Sequence, residues 1–205
     1  MTPDLPTLSG PIPVLPTMFG DDKLALREQA RLCERIVSAG LTTLVTGGLE
    51  GEGATLTQDE LIAATTIAAE AGARVGASVC LPGTEAACEA ARTVASAGAS
   101  FLVVSPPPYN RPTLEGVYAH LARIGEAARR PIVLRDDPAR TRVLLSDEFV
   151  ARLCRSGVVS AIVLPPGDMR ASRRIDVLSH GDVQSVAGSD FDAILQQLSL
   201  IHISQ

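Results

Sequence analysis

Seven short apolar or β-branched runs recur along the chain at intervals of 25 to 32 residues, and this spacing constrains the fold more than any other feature. The segments between these runs are rich in Ala, Leu and Arg, and their apolar residues repeat at the period of a helix. Strands that alternate regularly with helices predict βαβ units and a parallel sheet. The predicted strands are 12–15, 42–46, 74–79, 101–105, 131–134, 158–164 and 183–187.

Helix boundaries follow from capping residues. The predicted helices are 24–39, 60–71, 85–97, 114–128 and 146–154. Thr57 and Glu60 have the spacing of a capping box, and Thr113 and Ser146 precede helical segments as N-cap residues. Glycines that supply the left-handed conformation after a helix follow three of the segments, at Gly40, Gly72 and Gly98.

A doubly wound sheet and a (β/α)8 TIM barrel both satisfy this alternation. Even spacing and the lack of an early phosphate-binding loop favour the barrel, which needs about 250 residues when complete. The chain has 205 residues, so we expect an incomplete α/β TIM-barrel domain over residues 1–197, truncated after about seven strands. Residues 198–204 read L-S-L-I-H-I-S, which resembles a translated sequencing adapter, and we expect 198–205 to be a non-native tail.

Composition excludes several classes of protein. Hydrophobic residues make up 46% of the chain and charged residues 20%, which is enough apolar material for a buried core and excludes intrinsic disorder. The net charge is −5 and no basic cluster is present, so neither nucleic acid nor a membrane is expected as a partner. The N-terminal residues lack a signal-peptide pattern, and the four cysteines form no C-x-x-C motif, which together predict a cytoplasmic protein.

Three motifs follow predicted strands in an informative order. They are G-L-E-G-E-G-A-T-L-T at 48–57, S-P-P-P-Y-N-R-P-T-L-E-G-V-Y-A-H at 105–120 and P-I-V-L-R-D-D-P-A-R-T at 131–141. They resemble three patterns of the dihydrodipicolinate synthase / N-acetylneuraminate lyase family: G-T-T-G-E-x-x-x-L-(S/T)-x-x-E, P-Y-Y-x-x-P-x-x-x-G-(L/I)-x-x-H and Y-N-x-P-x-R-T. The resemblance covers roughly residues 10–190.

That resemblance implies a (β/α)8 barrel that assembles as a homo-oligomer, a dimer or tetramer, and acts on a small oxo- or hydroxy-acid. Members of the family join or split pyruvate and an aldehyde through a lysine Schiff base, which acts as an electron sink. A strand-5 tyrosine relays protons, a Thr-Thr pair binds the pyruvate carboxylate, and an arginine of the R-T pair contacts the second substrate.

This chain departs from the family pattern at the positions that perform the chemistry. Tyr109 and Arg140 keep the motif tyrosine and arginine, whereas Leu49 and Glu50 replace the threonine pair. Arg135 replaces the strand-5 tyrosine, and Val163 stands where the Schiff-base lysine is expected. The chain has 17 arginines but one lysine, Lys23, which lies among acidic residues before the first helix and is assigned no catalytic role.

The predicted site therefore uses Tyr109 and Arg135 as catalytic residues, with substrate contacts from Leu49, Glu50, Arg140 and Val163. Guanidinium groups suit the carboxylate of a small acid, although Arg135 could equally form a structural ion pair with Glu50 or Asp137. The acidic residues Glu50, Asp136, Asp137 and Asp190 could in principle form a magnesium or manganese site. Solvated loop carboxylates are the simpler interpretation, and neither a metal nor a cofactor is expected.

Three functions remain open from the sequence. The first is a divergent carbon–carbon lyase (aldolase) that acts on a small oxo- or hydroxy-acid without a Schiff base. The second is a catalytically inactive paralogue that binds a small anion. The third is a non-functional gene fragment.

Overall fold

The computed structural model describes residues 5, 7, 8, 10–164 and 184–186. Helices and strands alternate along this part of the chain, as predicted. The helices are α1 Leu26–Ser38, α2 Gln58–Glu70, α3 Thr84–Ser96, α4 Leu114–Ala128, α5 Pro138–Thr141 and α6 Asp147–Arg155. The strands are β1 Phe19–Gly20, β2 Lys23–Leu24, β3 Thr43–Thr46, β4 Arg74–Val79, β5 Ala99–Val104, β6 Ile132–Arg135, β7 Ala161–Val163 and β8 Gln184–Val186.

Strands β3 to β8 form one parallel sheet in which each strand pairs with the next one in sequence. A further segment extends the sheet beyond β3, because Val14 forms a parallel bridge with Val45 of that strand. The backbone N–H of Leu15 donates to the Val45 carbonyl at 2.8 Å, and that of Val45 donates to the Pro13 carbonyl at 2.9 Å. Seven of the eight strand positions of a barrel are therefore present in the described residues.

Two features near the N-terminus differ from the prediction. The first predicted strand, 12–15, is a single bridge instead of a full strand, because two prolines at 11 and 13 remove backbone donors. The antiparallel hairpin of β1 and β2 was not predicted, and it places the exposed Lys23 opposite Gly20. Residues 165–183 and 187–205, which include His180, Asp190 and the predicted tail, lie outside the described residues.

The predicted caps are confirmed. The hydroxyl of Thr57 accepts from the Glu60 backbone N–H, and the Glu60 carboxylate accepts from the Thr57 N–H at 2.9 Å, which completes the capping box. Thr113 accepts from the N–H of Gly116 in the same way, and Ser146 accepts from that of Phe149. Positive φ angles of 91°, 87° and 106° at the predicted glycines confirm the left-handed helix ends after α1, α2 and α3.

The two faces of the sheet bury different sets of side chains. On the outer face, strand residues such as Leu102 and Leu134 pack against α3, α4 and α6 in the largest buried cluster. On the inner face a second cluster takes residues from four strands: Val45, Phe101, Val103, Val133 and Ala161. This inner cluster is the filled interior expected of a barrel, and Gly76 makes room in it for the Phe101 ring.

The segment before the first strand position lies across the inner cluster. Leu5, Leu8 and Ile12 pack against it, and the backbone N–H of Leu8 donates to Oε1 of Gln184 at 2.7 Å. Residues 176 positions apart in sequence thus meet beneath the barrel interior. None of the described helices is long and apolar enough to cross a membrane.

Candidate active site at the carboxyl ends of the strands

All six predicted site residues lie at one end of the sheet, in or just after the carboxyl ends of parallel strands. Leu49 and Glu50 follow β3, Tyr109 follows β5, and Arg140 follows β6 in the short helix α5. Arg135 and Val163 are the last residues of β6 and β7. This end of a barrel is where active sites are built, because the loops that follow the strands converge there.

Glycine packing fixes the loop after β3. A Cβ atom at Gly53 would lie 1.8 Å from the backbone oxygen of Gly47, and one at Gly51 would lie 2.4 Å from that of Leu15. The Thr17 hydroxyl also donates to the Gly51 carbonyl at 2.5 Å. Only glycine allows such close backbone approach, so the loop is held tightly against the first strand position.

The two predicted site residues on that loop are exposed. Leu49 is 44% exposed. The Glu50 carboxylate also lies on the exposed side of the loop, near Gly48. The loop therefore presents an acidic side chain where the family pattern has a carboxylate-binding threonine pair.

Arg135 is the cation at the end of β6, and its partner in the parallel register is Val163. Val133 and Ala161, two residues earlier on the same strands, point into the inner cluster, which Val163 also contacts. Because side chains alternate along a strand, Arg135 and Val163 face the barrel interior side by side. The site thus has a guanidinium next to an aliphatic side chain that offers neither a nucleophile nor a proton donor.

Asp137 lies between two arginines and binds them unequally. Its Oδ2 is 2.8 Å from Nη1 of Arg140 and 3.9 Å from Nε of Arg135. The same carboxylate accepts from the backbone N–H of Arg140 at 3.3 Å, which caps α5. The side chain of Asp137 is 13% exposed, whereas that of Arg140 is 57% exposed. The anticipated ion pair of Arg135 with Asp137 is therefore a loose contact, and Asp137 mainly holds Arg140 and its short helix.

Tyr109 lies on a strained loop. Tyr109 and Arg111 have positive φ angles of 71° and 47°, a conformation that costs non-glycine residues about 1–2 kcal/mol each. Asn110 between them donates from Nδ2 to the Pro82 carbonyl at 3.3 Å, which ties this loop to the one after β4. The Tyr109 side chain is 92% exposed, so it is not packed against Arg135.

Asp136 is buried, whereas a magnesium or manganese site at this end of the sheet would need its carboxylate to be accessible. It is 2% exposed, and its backbone N–H donates to the Val163 carbonyl at 3.0 Å, which continues the β6–β7 ladder. Because side chains alternate along a strand, Asp136 points away from the side that Arg135 faces. Within the part of the chain that the structure describes, no three His, Cys, Asp or Glu side chains are grouped to hold a metal ion.

Two residues at this end of the sheet were missed by the sequence reasoning. Cys80 directly follows β4 and Ser105 directly follows β5, and they are neighbours across the two strands because Val79 and Val104, the residues before them, pair in register. Cys80 follows the predicted strand 74–79 and Ser105 ends the predicted strand 101–105, so their position at strand ends was the available signal. Because Val104 also pairs with Leu134, the residue before Arg135, the structure adds a thiol and a hydroxyl on the strands next to Arg135.

Comparison with known proteins agrees with this architecture. The sequence model of the "Dihydrodipicolinate synthetase family" matches residues 8–201. A 4-hydroxy-tetrahydrodipicolinate synthase of Anaeromyxobacter sp. (strain Fw109-5) is 32% identical over 194 residues, which are 93% of this chain and 66% of that relative. One from Fervidobacterium nodosum is 32% identical over 180 residues, or 85% of this chain and 61% of the relative. The chain therefore spans just under two thirds of the length of these relatives.

Solved structures give the same result for the fold. The chloride-inhibited dihydrodipicolinate synthase of Acinetobacter baumannii, complexed with pyruvate, superposes with a TM-score of 0.87 and 27% identity. That superposition covers 94% of this chain and 68% of the other. The synthase of Thermotoga maritima gives 0.85 at 24% identity, over 92% of this chain and 66% of that one. The predicted TIM-barrel class is confirmed, and the chain belongs to the dihydrodipicolinate synthetase family.

Proposed function

We propose that this chain is a divergent carbon–carbon lyase of the aldolase type that binds a small oxo- or hydroxy-acid without forming a lysine Schiff base. Arg135 binds the carboxylate of the acid, and Arg140 supplies a second cation at the rim. Tyr109 is the proposed proton-transfer residue, while Leu49, Glu50 and Val163 line the ligand. No cofactor takes part in the proposed reaction.

The pairing of Arg135 with Val163 is the observation that supports this proposal most directly. These neighbours in the β6–β7 register face the interior together, so the site has a fixed positive charge but no amine beside it. A guanidinium binds a carboxylate through two parallel hydrogen bonds and does not form an imine with a ketone. The geometry therefore favours binding of an acid over covalent capture of its carbonyl group.

Known relatives support the choice of ligand class. The matched relatives are synthases of one family, and the related Acinetobacter baumannii structure is a complex with pyruvate, which is a small 2-oxo acid. We also propose that the whole protein is a homo-oligomer, a dimer or tetramer, which sedimentation velocity measures directly. The four free cysteines agree with a cytoplasmic location.

A second candidate is a catalytically inactive paralogue that binds a small anion. The exposure of Lys23 in the β1–β2 hairpin favours it, because the one lysine of the chain is not buried among the inner-face residues. Both candidates predict binding, but only the first predicts turnover. Assays that follow carbon–carbon bond cleavage or formation with a panel of oxo-acids and aldehydes distinguish them.

The first test measures binding of pyruvate by calorimetry. A hydrogen-bonded charged pair contributes about 1.5–3 kcal/mol, so Arg135→Met is expected to weaken binding roughly 10- to 150-fold. Arg92→Met is the matched control, because Arg92 pairs with Glu89 on the exposed face of α3. Equal affinities in wild type and Arg135→Met would assign Arg135 a structural role instead.

The second test asks whether Val163 occupies the position of the missing amine. Borohydride reduction in the presence of pyruvate is expected to leave the wild-type mass unchanged, and to add a reduced pyruvyl group to the Val163→Lys variant. Val163→Arg is the control, because it adds a charge but no imine-forming amine. A trapped adduct on Lys23 of the wild type would overturn the proposed absence of a Schiff base.

A further inference from the structure

Four side chains from neighbouring strand ends converge beside the inner face. Cys80 follows β4, Ser105 follows β5, and Arg135 and Asp137 lie at the end of β6. The last register partners across β4, β5 and β6 are Val79, Val104 and Leu134, which all pack in the outer cluster. Cys80, Ser105 and Arg135 each come one residue later, so they lie side by side on adjacent strands and face the inner side. The thiol is therefore close to the guanidinium to which the proposed function assigns the acid carboxylate.

Burial differs sharply within this group. Ser105 is 8% exposed and the Arg135 side chain is 22% exposed, whereas Cys80 is exposed. Ser105 is thus buried, whereas Cys80 keeps surface that solvent reaches. A ligand that enters from the open end of the barrel meets the thiol before it meets the hydroxyl.

Arg135 retains hydrogen-bonding capacity toward such a ligand. Its only ion-pair contact with a described residue is the 3.9 Å approach of Nε to Asp137, whose carboxylate is held more closely by Arg140. A guanidinium carries five N–H donors in a planar fork, so two can bind a carboxylate while the loose contact remains.

We infer that Cys80 forms one wall of the acid-binding site, so that a small oxo- or hydroxy-acid bound to Arg135 lies against the thiol and shields it from solvent. This inference rests on the proposed function, because it takes the carboxylate at Arg135 as its starting point. It adds the thiol as a contact that determines which acids fit.

The Cys80 thiol is uncharged at neutral pH. Desolvation by the surrounding protein atoms raises the pKa of the Cys80 thiol even though part of the residue is exposed, and the nearby Ser105 hydroxyl and the charge of Arg135 lower it by less. The side chain therefore stays a protonated thiol, a soft and weakly polar group that tolerates the methyl or methylene carbon of a small acid.

Alkylation of the cysteines tests the inference. Iodoacetamide labelling is followed at each cysteine by mass spectrometry, with and without saturating pyruvate or lactate. Cys80 is expected to react faster than the other three, because Cys33 and Cys88 are buried and burial raises the pKa of Cys154 to about 11. Pyruvate or lactate is expected to slow labelling of Cys80 at least tenfold and to leave Cys154 unchanged. Arg135→Met is expected to abolish this protection.

A pair of bulky variants provides the second readout. Cys80→Trp is expected to weaken pyruvate binding at least tenfold by filling the space beside Arg135. Leu81→Trp, at the adjacent residue that is 37% exposed, is the matched control and is expected to bind as the wild type does. Circular dichroism checks that both variants fold.

The outcomes separate the inference from the proposed function. Calorimetric binding of pyruvate with unprotected Cys80, or with unchanged affinity in Cys80→Trp, would overturn the inference and leave the proposed function intact. Absence of pyruvate and lactate binding in calorimetry would overturn both.

Discussion

At the residue scale, the candidate site has a cation, Arg135, at the end of β6 and an aliphatic side chain, Val163, at the end of the neighbouring strand β7. By its resemblance to the family pattern, Arg135 stands at the position of the relay tyrosine and Val163 at that of the Schiff-base lysine, and the two positions are neighbours in the β6–β7 register. Their position was predictable from the sequence, because each lies in or at the end of a recognisable strand. The proximity of Cys80 to Ser105 was not predictable, because it depends on the register between two strands that a helix separates in the sequence.

His120 shows the same limit of sequence reasoning. Its place on α4 follows from helical periodicity, but its depth does not, and the residue is 3% exposed. Nδ1 lies 3.0 Å from the Thr84 hydroxyl at the start of α3, while Nε2 has no hydrogen-bond partner among the described residues. This histidine joins α3 to α4 inside the outer core and takes no part in the proposed site.

Burial of His120 predicts a pH dependence of stability. Desolvation lowers the pKa of His120 below its ordinary value of 6.5, so the folded protein resists the proton that the unfolded chain accepts. The free energy of unfolding is therefore expected to be highest above pH 6.5 and to fall as the pH drops toward the lowered pKa. Urea titrations between pH 7.5 and 5.5 measure this loss.

A variant isolates the contribution of this histidine. His120→Gln retains a polar side chain but does not titrate, so its stability is expected to change less over the same pH range. An equal slope in both proteins would show that other groups cause the pH dependence.

At the element scale, the helix boundaries were predictable because their signals are local. Thr57, Thr113 and Ser146 each cap the helix that follows them, and the predicted bounds of α4 match those observed. The short helix α5 and the β1–β2 hairpin were missed, since α5 has four residues and each hairpin strand has two, which is too few for a hydrophobic period to repeat. The first strand was overestimated, because apolar residues indicate a strand even where proline removes its donors.

The capping box at α2 makes a quantitative prediction. Loss of the Thr57 hydroxyl removes the acceptor for the Glu60 backbone N–H, so Thr57→Ala is expected to lower the free energy of unfolding by about 1 kcal/mol. Thr57→Ser keeps the hydroxyl and is expected to stay near the wild type. Chemical denaturation measures both, and equal losses in the two variants would exclude the cap as the cause.

At the scale of the whole molecule, spacing predicted the parallel βαβ architecture, but it did not predict which side chains fill the interior. The inner cluster contains a pair of register partners of very different size across β4 and β5, in which the Phe101 ring occupies the space over Gly76. Phe101 is 1% exposed, and a Cβ on Gly76 would lie 2.3 Å from its ring. Such complementarity arises between distant segments, so neither sequence run predicts it alone.

This pair predicts a coupling energy. Phe101→Ala is expected to cost about 3–5 kcal/mol through the cavity it leaves. Gly76→Ala is expected to cost about 1–3 kcal/mol by overpacking, and less in a Phe101→Leu background, which lacks the ring atoms that the new methyl group would meet. Double-mutant denaturation measures the coupling. Gly20→Ala, whose Cβ would lie 3.6 Å from that of Ala25, is the control for a harmless methyl group.

The hydrogen bond from Leu8 to Gln184 has a consequence for the order in which the structure forms. Each strand of the sheet pairs with its sequence neighbour, so the ladder can grow along the chain one crossover connection at a time. The Leu8 bond instead closes a loop of 176 residues, and its entropic cost is recovered only after β8 has docked. Protection of the Leu8 amide from hydrogen exchange is therefore expected to appear only after the strands of the described sheet have paired, although Leu8 precedes all of them in the sequence.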